Sequence, residues 1–160
     1  MNIFKRKKNQ PESAKRQARF AGTWYEGDGN KLANQMEDFL SQAERSLKES
    51  PVDLTFKDNP EPENNLLALI VPHAGYAFSG GTAAFAYEYA RLHGQPERIF
   101  LLGPSHYVRF QGVALSNFDS FETPIGDLKV DSRCIQELRN YPLFELNDEI
   151  HKKEHSLELQ

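Results

Sequence analysis

Two short apolar runs constrain this chain more than any other feature, because each leads directly to a histidine. Leu66-Leu67-Ala68-Leu69-Ile70-Val71 runs through Pro72 to His73, and Ile99-Phe100-Leu101-Leu102 runs through Gly103-Pro104-Ser105 to His106. A continuous apolar run of this length is the pattern of a strand covered on both faces. Between the two, Ser79 and the Gly80-Gly81 pair open a helix expected from about Thr82 to Leu92 and closed by His93-Gly94. Strand, helix and strand in that order predict a βαβ unit with a right-handed crossover, and so an α/β fold with a mostly parallel sheet.

The flanking sequence extends this pattern. Leu32, Met36, Phe39, Leu40, Ala43 and Leu47 share one helical face, which Ser50-Pro51 ends, and residues 58–65 read as an exposed link. Val113–Leu115 and Leu128–Val130 predict further strands, and Asp131 or Ser132 caps a helix through Leu138. Residues 1–19 hold seven Lys or Arg against one acid, leaving 12 basic and 22 acidic residues, a net −10, on the remainder. This predicts a flexible basic tail over residues 1–19 ahead of one domain over residues 20–160. Deleting residues 1–18 is then expected to leave the melting temperature almost unchanged. The acidic body argues against nucleic acid as the main partner.

No apolar run approaches the ~20 residues of a membrane span, and the basic start lacks the apolar stretch of a secretory signal. The single cysteine, Cys134, excludes an internal disulfide and fits a reducing, cytoplasmic compartment.

Sites in open parallel sheets gather beyond the carboxyl ends of the strands. His73 and His106 each fall just past such an end, so neighbouring strands would bring both imidazoles to one point. Two neutral imidazoles suit iron, zinc, copper or nickel. Gly75, Gly80, Gly81 and Gly103 would let backbone pack closely around that point. The plainer alternative is two separate structural histidines, each bonded to a loop carbonyl. Ser105 lacks the Gly-x-Ser-x-Gly elbow of a nucleophile, and Phe78-Ser79-Gly80-Gly81-Thr82 lacks the ending of a phosphate-binding loop. A rival pattern is His151-Lys152-Lys153-Glu154-His155, which matches the inverted zincin motif. On a helix, His151 and His155 would share a face and bind zinc with Glu154 as base, giving a zinc metallopeptidase. The bland reading leaves His151 as a surface residue.

Five ordered blocks then carry a family likeness: Gly22-Thr23-Trp24-Tyr25, Val71 to Tyr87, Phe100 to Tyr107, Phe121 to Asp131, and Glu154 to Gln160. In this order they resemble the Memo family, also called AmmeMemoRadiSam system protein B. The resemblance covers residues 20–160 and implies the α/β sandwich of class III non-haem iron extradiol dioxygenases, with a metal pocket at the strand ends. It implies His73 and His106 as metal ligands and a pocket to which Tyr76, Ser105, Glu154 and His155 contribute. The cofactor it implies is a divalent transition metal, iron or copper, with zinc as a further candidate. The family's third ligand is a cysteine in a second half, to which Cys134 does not correspond. Tyr107 stands where the family often has a second histidine.

Functionally the resemblance implies a metal-dependent, dioxygenase-like oxidoreductase. The alternative is a binding module that uses the pocket for a peptide or phosphotyrosine-type side chain, by analogy with animal members associated with receptor tyrosine kinase signalling. Implied partners are a small-molecule or peptide ligand of unspecified chemistry and the radical SAM and AMMECR-type proteins of the same system. Leu157 and Leu159 alternate with polar neighbours and meet no turn or cap, so the sequence reads as the N-terminal part of a longer domain. Such a piece is expected to leave an apolar face and a sheet edge uncovered, to associate, and to bind metal weakly by itself.

Overall fold

The apolar face from Leu32 to Leu47 forms helix α1, Gly29–Glu49, which buries Leu32 and Ala43. Leu32 joins Tyr25 and Leu159 in a buried cluster against which Phe20, Trp24, Met36 and Tyr76 pack. The computed structural model describes residues 14–49, 66–94 and 96–160. The expected helix end at Ser50-Pro51 and the link over residues 58–65 lie outside the described residues.

Helix α2, Tyr76–His93, packs on α1. It begins at Tyr76 rather than near Thr82, because the Tyr76 N–H donates to the Trp24 carbonyl at 2.9 Å and anchors the first turn. Ser79 is therefore inside the helix, where its hydroxyl donates to the Ala74 carbonyl at 2.8 Å. Gly80 also has a different task from the one its sequence suggests. A Cβ there would stand 2.5 Å from Cε2 of Phe39 in α1, so the glycine permits the two helices to approach. At Gly81 the nearest atom to such a Cβ is 4.0 Å away.

The two glycines should respond with opposite signs. Gly81→Ala gains helix propensity and is expected to stabilise by about 0.5–1 kcal/mol. Gly80→Ala gains the same propensity but forces Phe39 aside, an overpacking cost of about 1–3 kcal/mol, so it should be net destabilising. Urea unfolding of both variants checks this, and a more stable Gly80→Ala protein would refute the close approach.

Strands β1 (Lys15–Arg16), β3 (Ser120–Phe121) and β4 (Leu128–Lys129) form one sheet in the order β1-β3-β4. β1 is parallel to β3, pairing Lys15 with Ser120, and β4 is antiparallel to β3. Strands β2 (Val113–Leu115) and β5 (Phe144–Leu146) form a separate parallel pair. Helix α3, Ser132–Leu138, is capped by Asp131, whose side chain accepts from the Cys134 N–H at 2.9 Å. A last helix, α4, covers Asp148–Lys153. The chain is thus α/β with mostly parallel pairing, as expected. Among the described residues no helix is long and apolar enough to cross a membrane.

Two expectations change. The runs Leu66–Val71 and Ile99–Leu102 form neither helix nor strand, and neither joins a ladder among the described residues. They are also not covered on both faces: Ile70 is 100% exposed and Leu67 94%. An apolar run adopts buried strand structure only where other chain supplies its edges and faces, and the described residues do not supply them.

The flexible basic tail expected over residues 1–19 also does not extend through Arg16, so deleting residues 1–18 should lower the melting temperature rather than leave it almost unchanged. Arg16 is only 4% exposed and lies in β1, while the Phe20 N–H donates to Glu158 at 2.7 Å. Residues 1–13 lie outside the described residues. Arg16 reads as a solvated charge in sequence because its carboxylate partner, Glu158, is remote along the chain.

Candidate metal centre

His73, His106 and His155 meet. One ring nitrogen from each lies within 4.8 Å of the others. Ring centroids are 5.3 Å apart for His73 and His106, and 4.3 Å for the stacked pair His106 and His155. The first two histidines converge without strand pairing between their segments. His106 is held by the segment after α4, against which the 103–106 loop is seated. A Cβ on Gly103 would lie 2.5 Å from the Ser156 hydroxyl, and that hydroxyl donates to the Pro104 carbonyl at 2.9 Å.

Glu154 is the organising group. It is 5% exposed and accepts four hydrogen bonds: from the His106 N–H at 2.6 Å, the His106 ring Nδ1 at 2.8 Å, the His155 N–H at 2.8 Å and the Ser156 N–H at 2.9 Å. Burial alone would raise its pKa. The bonds from His106, Ser156 and His155 outweigh that and hold the carboxyl down to about 2. An ionised carboxylate can only accept, so Nδ1 of His106 carries the proton. In the neutral ring Nε2 then keeps the free lone pair that a metal needs, the carboxylate–histidine arrangement of many metal sites.

His155 is 7% exposed, with Trp24 at 4.5 Å, Phe20 at 5.8 Å and Tyr107 at 5.9 Å between ring centroids. Its pKa is lowered, first by burial and then by His106 and His73, against the opposing pull of Glu154 and Glu158. It is therefore a neutral imidazole at pH 7. Its Nδ1 is buried without a hydrogen-bond partner. Glu154 Oε1 lies 3.3 Å from that atom but outside hydrogen-bonding geometry. A buried orphan nitrogen is costly unless something binds it. Nitrogens sharing one zinc or iron at ~2.0–2.1 Å lie only ~3–4 Å apart, so modest side-chain rotation would close this triangle on an ion. The donor set fits a transition metal.

The other sequence candidates make contacts of their own. Ser105 donates to the Val108 carbonyl at 2.6 Å and shapes a turn. Tyr76 packs on the Tyr25–Leu32–Leu159 cluster, its ring 5.5 Å from that of Tyr25. α4 ends at Lys153, so His151 and His155 share no helical face. His151 is buried rather than superficial, and its Nε2 meets the Ala114 carbonyl at 3.1 Å. The zincin geometry is therefore not built. The sequence placed His155 near the pocket but not among the ligands. It marked Trp24 only as part of an ordered block and carried no signal for Phe20 beside it.

Residues 16–160 match the family described as Memo-like protein. The chain belongs to this family. Protein MEMO1 of Xenopus laevis is 36% identical over 145 residues, covering 90% of the Memo-like chain and 43% of the relative. The memo-1 homolog of Caenorhabditis elegans is 37% identical over 147 residues, covering 91% and 37%. The MEMO1 family protein MHO1 of Saccharomyces cerevisiae is 35% identical over 154 residues, covering 91% and 41%. The Memo-like chain thus spans less than half the length of these curated relatives.

Proposed function

We propose that this chain provides a metal-binding centre of the non-haem oxidoreductase type, with His73, His106 and His155 as ligands and Glu154 as the group that orients them. The observation that carries the reading is the meeting of three imidazoles, one with a buried, unpartnered Nδ1 and one with its proton fixed by a carboxylate. Imidazole ligands suit iron and copper, which when bound supply a redox couple and open positions for substrate and dioxygen. The chain's own residues do the preparatory work. Glu154 keeps the Nε2 lone pair of His106 available, and burial keeps His155 neutral. Phe20 and Trp24 wall the site beside His155, while the partly exposed side of His106 leaves an approach from solvent.

Trp24 is the single tryptophan and lies 4.5 Å from the His155 ring, so its fluorescence reports occupancy directly. Anaerobic titration with Fe(II), and separately with Cu(II), is expected to quench Trp24 with a stoichiometry of one ion per chain. His73→Ala, His106→Ala and His155→Ala should each weaken binding at least tenfold. Equal binding by all three variants would reject the centre. Oxygen uptake with a catechol by the iron-loaded protein tests the dioxygenase reading separately.

A further inference from the structure

We propose that Arg16 is a positioning residue of the three-histidine centre, acting through the direction in which Glu154 and His155 leave helix α4. The guanidinium is buried and its donors span the whole segment that carries the site. Nε donates to the His151 carbonyl at 3.0 Å, one terminal nitrogen to the Glu154 carbonyl at 2.5 Å, and the other to the Glu158 carboxylate and the Gln17 carbonyl. The guanidinium carbon also lies 5.7 Å from the centre of the Phe121 ring.

The geometry follows from the needs of a short helix. α4 is only six residues long, and its final carbonyls have no partner within the helix. A cation at this end satisfies them and complements the helix dipole. By binding His151 and Glu154 together, the fork fixes the backbone where the chain turns from helix to extended at Glu154. That turn aims the Glu154 carboxylate at His106 and brings His155 over the ring of His106.

The same network reaches the aromatic wall. Glu158 accepts from the Phe20 N–H at 2.7 Å and the Tyr25 hydroxyl at 2.9 Å, while Phe20 and Trp24 flank His155. Arg16 itself is anchored from the other side, since its carbonyl accepts from the Glu122 N–H at 2.8 Å across the β1–β3 pair. Lysine offers a point charge rather than a planar fork and cannot engage both carbonyls and the carboxylate at once.

The inference rests partly on the metal reading, so the test has one arm without metal. In the metal-free chain, proton and nitrogen NMR of the His106 ring should show the Nδ1–H tautomer held by Glu154. Arg16→Lys and Arg16→Met should lose or shift that signal while remaining folded by circular dichroism. In the second arm, Co(II) serves as a spectroscopic probe. Both variants should bind it 10- to 100-fold more weakly, the range expected for loss of an outer-shell support, and with an altered visible ligand-field spectrum. A purely structural role would lower the melting temperature and leave both signatures of the folded protein unchanged. That result would overturn the proposal while the metal reading stands. If neither wild type nor variants bind Co(II) but the His106 signal still depends on Arg16, the positioning role holds and the metal reading fails. Should Arg16→Met not fold, Arg16→Lys, which keeps the charge beside Glu158, decides the question.

Discussion

Glu158→Ala is expected to destabilise the chain by about 3–5 kcal/mol, the cost of breaking a buried ion pair from one side. The Glu158 side chain is 2% exposed and that of Arg16 4%, so neither charge is relieved by water when the other is removed. The truncation would also strip the Phe20 N–H and the Tyr25 hydroxyl of their acceptor. Burial first, and then the Glu158 carboxylate, hold that hydroxyl protonated far above the ordinary tyrosine range. For a chain of this size the loss corresponds to a fall in melting temperature of roughly 6–20 °C. The apolar double variant Arg16→Met/Glu158→Leu should recover most of it, because no unpaired charge then remains buried. Thermal unfolding of the single and double variants decides the matter. A Glu158→Ala protein within about 1 °C of wild type, a loss of roughly 0.5 kcal/mol or less, would mean that the pair contributes nothing.

Glu154→Gln is expected to weaken metal binding about 10- to 100-fold, as removal of an outer-shell carboxylate does. Glutamine retains the shape but can no longer accept as a charge from His106 Nδ1 and three backbone N–H groups. The pH dependence gives an independent check. Because the carboxyl is held down to about 2 from its ordinary 4.5, its contribution to stability is fully present above pH 4.5. That contribution is lost as the pH falls through the range toward 2. Wild type should therefore exceed Glu154→Gln in stability at neutral pH, and the gap should close as the solution is acidified. Denaturant unfolding of both proteins at several acidic pH values measures it. A gap that widens in acid would show that Glu154 is not held as an ionised acceptor.

Much of this was open to reading along the chain because it depends on neighbours in sequence. The face from Leu32 to Leu47 has helical period, and α1 follows it. Asp131 precedes a helical segment and caps it through the Cys134 N–H, three residues on. The apolar runs marked His73 and His106, and the ordered blocks marked the family. Local periodicity and short-range hydrogen bonding are properties of the chain itself, so they survive whatever the rest of the fold does.

Tertiary structure alone decided the remainder. Gly80 looks like a helix opener until Phe39 of another helix is seen to occupy the space of its missing side chain. Arg16 looks like part of a solvated tail until Glu158 and two carbonyls after β5 close around it. His151 and His155 look like partners on one helix, but the helix stops between them and sends one to Ala114 and the other to His73 and His106. Each of these outcomes depends on groups far apart in sequence. Burial and charge pairing are set by what arrives in space, and only the folded chain brings those groups together.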